Sequence, residues 1–238
     1  MAETLQTPTR HRAARHKSLT TERQLAAAAV ALCQQCKVMS SIHARTGTPP
    51  LRDFSADFSG LAKIVTGQQL STASASAIWN RVSAAIDPFH ATSLRAISDG
   101  KLAALGLSGA KIRTLKAIAT AILDDGLDIP ALSKAPDSVV IDQLTALHGI
   151  GPWTADIYLL FALRRTDAFA PGDLALQLAV QRVFKLKNRP LPAELEKIAE
   201  RWRPWRAVAA RLLWADYGMA LQELRKTMPQ KSPRKPAK

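Results

Sequence analysis

Leu144-Thr145-Ala146-Leu147-His148-Gly149-Ile150-Gly151-Pro152-Trp153-Thr154-Ala155-Asp156 is the stretch on which the fold turns. Apolar residues at helical spacing run into a Gly-x-Gly turn, and Pro152 then stands where a new helix begins. Gly149 and Gly151 allow a tight turn with positive φ and let a ligand approach the backbone without meeting a Cβ. Proline is pre-set for the first position of the following helix. That helix opens with N–H groups lacking intrahelical acceptors, at the positive end of its dipole, so an anion such as a nucleic-acid phosphate suits it. Downstream, Ala170-Pro171-Gly172-Asp173 presents a lone carboxylate.

Working outward, helical periodicity dominates and no run alternates as a strand would. Thr20 or Thr21 caps a first predicted helix through the amphipathic run 21–44, ending before Gly47 and Pro49-Pro50. Further helices are predicted over about 58–66, 71–86, 93–97, 101–105 and 109–123. The hairpin helices follow over about 137–147 and 152–163, and Gly172-Asp173 introduces one over 174–184. Pro192 starts a helix to about 202, and Pro204 starts the last, to about 221. The fold class is therefore all-α.

With 238 residues and 47% apolar content, the chain can bury a real core. Thirty-three Lys and Arg against 19 Asp and Glu give a formal charge of +14, which favours a polyanionic partner. Part of this excess sits at the ends, in Arg10, Arg12, Arg15 and Lys17, and in Lys226, Lys231, Arg234, Lys235 and Lys238. No stretch approaches the roughly 20 apolar residues of a membrane span, and no secretory signal opens the chain, so a cytoplasmic protein without a membrane partner is the expectation. Cys33 and Cys36 fall inside a helical run rather than after a strand, and read as buried helix residues rather than a redox motif.

Other stretches occur in an informative order. Gly67-Gln68-Gln69-Leu70-Ser71 precedes the hairpin; Asp173, then Arg201-Trp202-Arg203-Pro204-Trp205-Arg206, then Leu212-Leu213-Trp214-Ala215-Asp216-Tyr217-Gly218 follow it. In this order the chain, from about Phe58 to about Leu221, resembles the helix-hairpin-helix (HhH-GPD) DNA glycosylases. The subgroup it is most similar to is the bacterial 3-methyladenine DNA glycosylase II type.

The resemblance implies two helical lobes with a helix-hairpin-helix motif and an active-site cleft between them. A basic disordered tail would cover 1–19, and a helical segment over 20–57 would pack with the C-terminal lobe. The central lobe would span 58–165. Residues 166–228 would complete the second lobe and carry the catalytic carboxylate, with a second basic tail over 229–238. The β-rich N-terminal domain of some relatives is expected to be absent. Two cysteines cannot build the four-cysteine iron–sulfur cluster that others carry.

The implied chemistry is hydrolysis of an N-glycosidic bond, in which a carboxylate faces the developing positive charge of the sugar. Asp173 takes that role by resemblance; on its residues alone it reads first as an N-cap, and the two roles are compatible. Trp153 stands where strand-cleaving relatives carry a lysine nucleophile, and indole cannot form a Schiff base. Lys185 and Lys187 lie on the wrong side of the motif, so a monofunctional enzyme leaving an abasic site is implied. Trp214, with Trp153 and Tyr217, would form an aromatic base pocket able to stack on a cationic alkylated purine. Trp79, Trp202 and Trp205 read as core residues.

A base inside a duplex must be flipped out, and Gln68, Gln69 and Leu70 resemble the family's wedge, with Gln69 or Leu70 entering the stack. His148, Gly149, Ile150, Gly151 and Thr154 would form the DNA-binding hairpin, although His148 reads more simply as a helix cap. Ser108 and Lys111 offer a second phosphate contact, and Asp156 fixes local structure. The carbonyls of Thr145, Leu147 and Ile150 resemble the hairpin's Na⁺ or K⁺ site; no other cofactor is required. The implied partner is double-stranded DNA with damaged bases, bound by a monomer. Two other readings stay open: a glycosylase for another damaged or mismatched base, and a non-catalytic helix-hairpin-helix DNA binder.

Overall fold

The computed structural model describes residues 17–227. Among these residues the protein is all-α, with no sheet and one isolated bridge between Ser18 and Arg165. None of the described helices is long and apolar enough to cross a membrane. The bridge corrects the tail predicted over 1–19 at its inner end. Leu19 is buried and its N–H donates to the Arg164 carbonyl at 2.8 Å, while Thr166 N–H donates to the Lys17 carbonyl at 3.0 Å. The rest of that tail and the one over 229–238 lie outside the described residues.

Helix α1 (Glu22–Gln35) starts at a capping box in which Thr21 and Gln24 satisfy each other's backbone N–H groups, and it buries Leu25, Ala28, Ala29 and Leu32. The sequence predicts one helix through 21–44, but Cys36 is extended (φ −141°, ψ 109°) and α2 (Lys37–Thr46) begins after it. The break lies beside a long-range tie: Gln35 Nε2 donates to the carbonyls of Arg201 and Arg203 at 2.7 and 2.9 Å. Cys33 and Cys36 are consequently half-exposed at this joint, not buried within a continuous helix.

One group of helices comprises α3 (Phe58–Gly67), α4 (Thr72–Ala85), α5 (Ala91–Ala96), α6 (Asp99–Ala104), α7 (Gly109–Leu123), α8 (Ile129–Leu132), α9 (Asp137–Thr145) and α10 (Pro152–Ile157). Asp57, Ser71, Ser98 and Ser108 cap four of them by accepting an N–H of the first turn. The short α8, absent from the sequence reading, is capped by Asp128. Helix α10 widens into a π turn over Tyr158–Ala162, with Leu163 N–H reaching the Tyr158 carbonyl five residues back.

The second group comprises α1 and α2 with α11 (Leu174–Val183), α12 (Pro192–Ala199) and α13 (Arg206–Thr227). Asp216, almost fully buried on α13, pairs with Arg45 of α2 at 2.7 Å and with Arg182 of α11, tying three helices together. Helix α13 starts after Trp205, whose carbonyl accepts Val208 and Ala209, so Pro204 sits in the preceding turn rather than at the helix start. It continues beyond the predicted Leu221 because Gln222, Glu223, Leu224, Arg225 and Lys226 are all strong helix formers. The two groups form the two-lobed fold, with a cleft between them.

Candidate active site

Asp173 is the N-cap of α11: its backbone is extended (φ −76°, ψ 120°) and Oδ1 accepts Leu176 N–H at 2.9 Å. The turn carrying it is braced from both sides. Asp173 N–H donates to the Ala170 carbonyl at 3.0 Å, and Gln177 Nε2 donates to the Pro171 carbonyl at 2.9 Å. Two indoles complete its surroundings. Trp153 Nε1 donates to Oδ2 and Trp214 Nε1 to Oδ1, both at 2.9 Å. Three N–H donors thus fix both carboxylate oxygens from three elements, α10, α11 and α13.

This arrangement corrects the reading of Trp153 and Trp214 as aromatic walls alone. Each spends its polar edge on Asp173, and the Trp214 ring stacks on Phe161 with centroids 5.5 Å apart at 25°. Phe161 stacks in turn on Phe54 at 5.6 Å. A cleft of about 740 Å³ opens beside Asp173, lined by Trp153, Tyr217, Leu174, Ala175 and Leu178 and by the Gly67 to Leu70 turn. Trp214 braces the carboxylate from outside that lining. Leu174, the residue after Asp173, is 53% exposed at the cleft.

The turn over 67–70 and the hairpin form one unit. Gln68 Nε2 donates to Thr154 Oγ1 at 2.9 Å and, at 3.4 Å, to the Gly149 carbonyl. Gln68 is therefore a strut and not a free wedge. Thr154 is 2% exposed, so its side chain faces this strut rather than DNA. Gln69, at the apex, has positive φ (56°) and is exposed, and Leu70 is 39% exposed beside it.

Beneath the turn, Lys111 Nζ donates to the Thr66 carbonyl at 2.7 Å, and burial lowers its pKa. Ser108 caps α7 through Lys111 N–H. Lys111 is thereby placed as a support of the turn, while Ser108 is exposed at the start of α7.

Within the hairpin, Gly149 has φ 78° as predicted, and Gly151 does not: its φ of −100° is open to any residue. The two glycines serve different needs. A Cβ on Gly149 would lie 1.9 Å from Thr114 Oγ1 of α7, whereas a Cβ on Gly151 would meet nothing within 4 Å. Ile150 is buried and its N–H donates to the Leu147 carbonyl at 3.1 Å, closing the turn. His148 is exposed, and its ring makes no hydrogen bond among the described residues, so it does not cap α9.

Sequence reasoning missed Phe161, which stacks on Trp214, and Arg52, whose guanidinium carbon lies 4.7 Å over the Phe161 ring. Phe161 was visible only as one apolar residue among many, and Arg52 carried no local signal. Asp156, read as structural, stands near Glu196 and Arg206 of the second lobe. Burial raises its pKa to about 7, with Glu196 adding to the shift and Arg206 opposing it.

The sequence profile of the HhH-GPD superfamily of base excision DNA repair proteins matches residues 62–204. DNA-3-methyladenine glycosylase 1 of Schizosaccharomyces pombe is 33% identical over 168 residues, covering 66% of this chain and 73% of that protein. The probable bifunctional transcriptional activator/DNA repair enzyme AlkA of Mycobacterium tuberculosis is 32% identical over 165 residues, and the chain spans only 32% of its length. Among solved structures, the S. pombe 3-methyladenine DNA glycosylase Mag1 in complex with abasic DNA superposes with a TM-score of 0.73 at 26% identity, covering 79% of this chain and 95% of that one. The DNA-3-methyladenine glycosidase of Bacillus halodurans gives 0.68 at 27% identity, covering 88% and 95%.

Proposed function

The chain belongs to the HhH-GPD superfamily of base excision DNA repair proteins, and from that membership we propose that it is a monofunctional DNA glycosylase which hydrolyses the N-glycosidic bond of alkylated bases, 3-methyladenine among them, and leaves an abasic site. The observation that carries this reading is the Asp173 carboxylate at the cleft, its two oxygens held by Trp153, Trp214 and Leu176 N–H.

The hairpin at Gly149 and Gly151 anchors a backbone phosphate, and Gln69 and Leu70 fill the gap left by the flipped base. In the cleft, the bond between C1′ and the base nitrogen breaks and its electron pair leaves with the base. A base that is cationic through alkylation departs neutral, so no strong general acid is needed. Asp173 faces the positive charge growing on the sugar, and water adds to C1′ while its proton passes to the Asp173 carboxylate and from there to solvent. Trp153 and Tyr217, lining the cleft, supply the aromatic surface for the base.

The chemistry needs water and a carboxylate and no cofactor. Helix α9 ends at Thr145, and the last carbonyls of a helix lack intrahelical partners. By the family resemblance, the carbonyls of Thr145, Leu147 and Ile150 would hold a Na⁺ or K⁺ that adds positive charge for a DNA phosphate, with the Leu147 carbonyl also accepting Ile150 N–H. Wedge, anchor and carboxylate all come from one chain, which supports action as a monomer on double-stranded DNA.

The test is base release from duplexes carrying 3-methyladenine, 7-methylguanine, hypoxanthine or 8-oxoguanine. The wild type is expected to release alkylated bases, to cleave the strand only after alkali, and to form no borohydride-trapped adduct. Asp173→Asn is expected to abolish release while still binding an abasic duplex. Near-normal turnover in that variant would remove Asp173 from the mechanism.

A further inference from the structure

Two tyrosines occur in the chain, and they are placed in opposite ways. Tyr158 is fully buried, with its hydroxyl sealed in the core, whereas Tyr217 is half-buried on α13 and lines the cleft beside Asp173. The Tyr217 hydroxyl makes no hydrogen bond among the described residues, and it is not sealed off as the Tyr158 hydroxyl is. Its place relative to the carboxylate is set by the helix. Trp214 and Tyr217 stand three residues apart on α13, so they share a face about one turn apart, and Trp214 Nε1 is 2.9 Å from Asp173 Oδ1.

The other polar side chains along the cleft are already committed. Gln68 donates to Thr154 and to the Gly149 carbonyl, Thr154 is buried and receives that bond, and Trp153 Nε1 donates to Asp173. Gln69 stands at the apex of the wedge turn, whose place is the gap in the base stack and not the path of the flipped base. The wall contributed by Leu174, Ala175 and Leu178 of α11 is apolar. Tyr217 is therefore the side chain that brings an uncommitted O–H donor to a base held in this cleft.

Such a donor acts differently on two kinds of leaving base. A base that is cationic through alkylation loses its charge as the bond to C1′ breaks, so a hydrogen bond to it gains nothing from the departure. A neutral base such as hypoxanthine leaves with the bonding pair as an anion, and the charge spreads over its ring nitrogens. A hydrogen bond to one of those nitrogens strengthens as the bond breaks, and so lowers the barrier.

We propose that the Tyr217 hydroxyl donates to a ring nitrogen of the departing base and thereby extends the reaction from cationic to neutral purines. Tyr217 gives a hydrogen bond and keeps its proton. The departing anion takes a proton from solvent, while the water that adds to C1′ gives up its own through Asp173, so the reaction is a net hydrolysis. The proposal rests on the glycosylase reading above and adds to it a residue that sorts substrates by the charge of the leaving group.

The experiment measures single-turnover release of hypoxanthine, 3-methyladenine and 7-methylguanine at saturating full-length protein, for wild type and Tyr217→Phe, which keeps the ring and removes the hydroxyl. Release of hypoxanthine is expected to slow by about 10-fold or more, and release of the two cationic bases to stay within about 2-fold. Affinity for the hypoxanthine duplex is expected to stay within about 2-fold as well, because the bond strengthens only as the base leaves. An equal fall for all three bases would make the hydroxyl a packing or positioning contact and overturn the proposal, and an unchanged rate for hypoxanthine would overturn it too.

The wild type separates this proposal from the reading beneath it. A protein that releases 3-methyladenine and 7-methylguanine but no hypoxanthine would keep the glycosylase reading and overturn the role of Tyr217. A protein that releases none of the three would end the glycosylase reading, and the proposal with it.

Discussion

Trp214 meets Asp173 with the edge of its indole and not its face: Nε1 donates to Oδ1 at 2.9 Å while the ring lies stacked on Phe161. A residue that reads as a base platform is built instead as a brace for the carboxylate. Trp153 repeats the device from the other side, on Oδ2. The rotamer of Asp173 is therefore set by tertiary contacts and by its own cap bond together.

Trp214→Phe keeps the aromatic surface and removes the N–H. Loss of a hydrogen bond to a charged group corresponds to about 1.5–3 kcal/mol, so single-turnover base release should fall roughly 10- to 100-fold. Affinity for an abasic duplex should change little. An unchanged rate at saturating DNA would show that Asp173 needs no indole to hold its position.

The two hairpin glycines should separate folding from binding. Gly149→Ala places a Cβ into Thr114 at a positive φ, and should destabilise the protein by roughly 2–4 kcal/mol. Gly151→Leu meets open space at an ordinary φ and should cost under about 1 kcal/mol. Its defect should be weaker binding to every duplex, damaged or not, as measured by anisotropy. A folded Gly151→Leu protein binding both duplexes normally would rule out the hairpin as the DNA anchor.

Gln68 and Thr154 couple the wedge turn to the hairpin through a 2.9 Å hydrogen bond. Gln68→Ala leaves the buried Thr154 hydroxyl without this partner, at a cost of about 1 kcal/mol. Base release should fall further than affinity for undamaged duplex, because flipping needs the wedge and non-specific binding does not. In a double-mutant cycle with Thr154→Val the two effects should be non-additive; simple additivity would show that the strut carries no coupling.

Asp156 gives a pH signature. Its carboxyl titrates near 7 in the folded protein, against an ordinary value of 3.8, chiefly because burial disfavours the charge. Between about pH 4 and 7 the folded state then binds more protons than the unfolded chain, so stability falls as pH rises through that window and levels off above it. Asp156→Asn should flatten this slope and raise stability at pH 8 by roughly 1–3 kcal/mol, less than the whole shift because the group keeps some solvent. Denaturant melts of both proteins from pH 4 to 8 check it; parallel curves would mean that Asp156 ionises freely.

By itself the sequence determined where helices start and stop wherever the signal is local. Helix α7 falls over Gly109–Leu123 as its periodicity predicts, and α11 begins after the Asp173 cap. Gly149 in left-handed backbone and Pro152 at a helix start belong to the same class, because φ preferences and cap bonds involve only neighbouring residues. Motif order likewise disclosed the family. Tertiary structure alone decided the break at Cys36, since the apolar stripe of α1 and α2 stays in step and only the distant carbonyls of Arg201 and Arg203 mark the joint. It also decided that Gln68 and Lys111 bond to Thr154 and to the Thr66 carbonyl, that both indoles point N–H groups at Asp173, and that Arg52 lies over Phe161. The physical reason is one of range. Conformational preference is written along the chain, whereas the partner of a hydrogen bond or a stacked ring is chosen by packing between residues up to 171 positions apart.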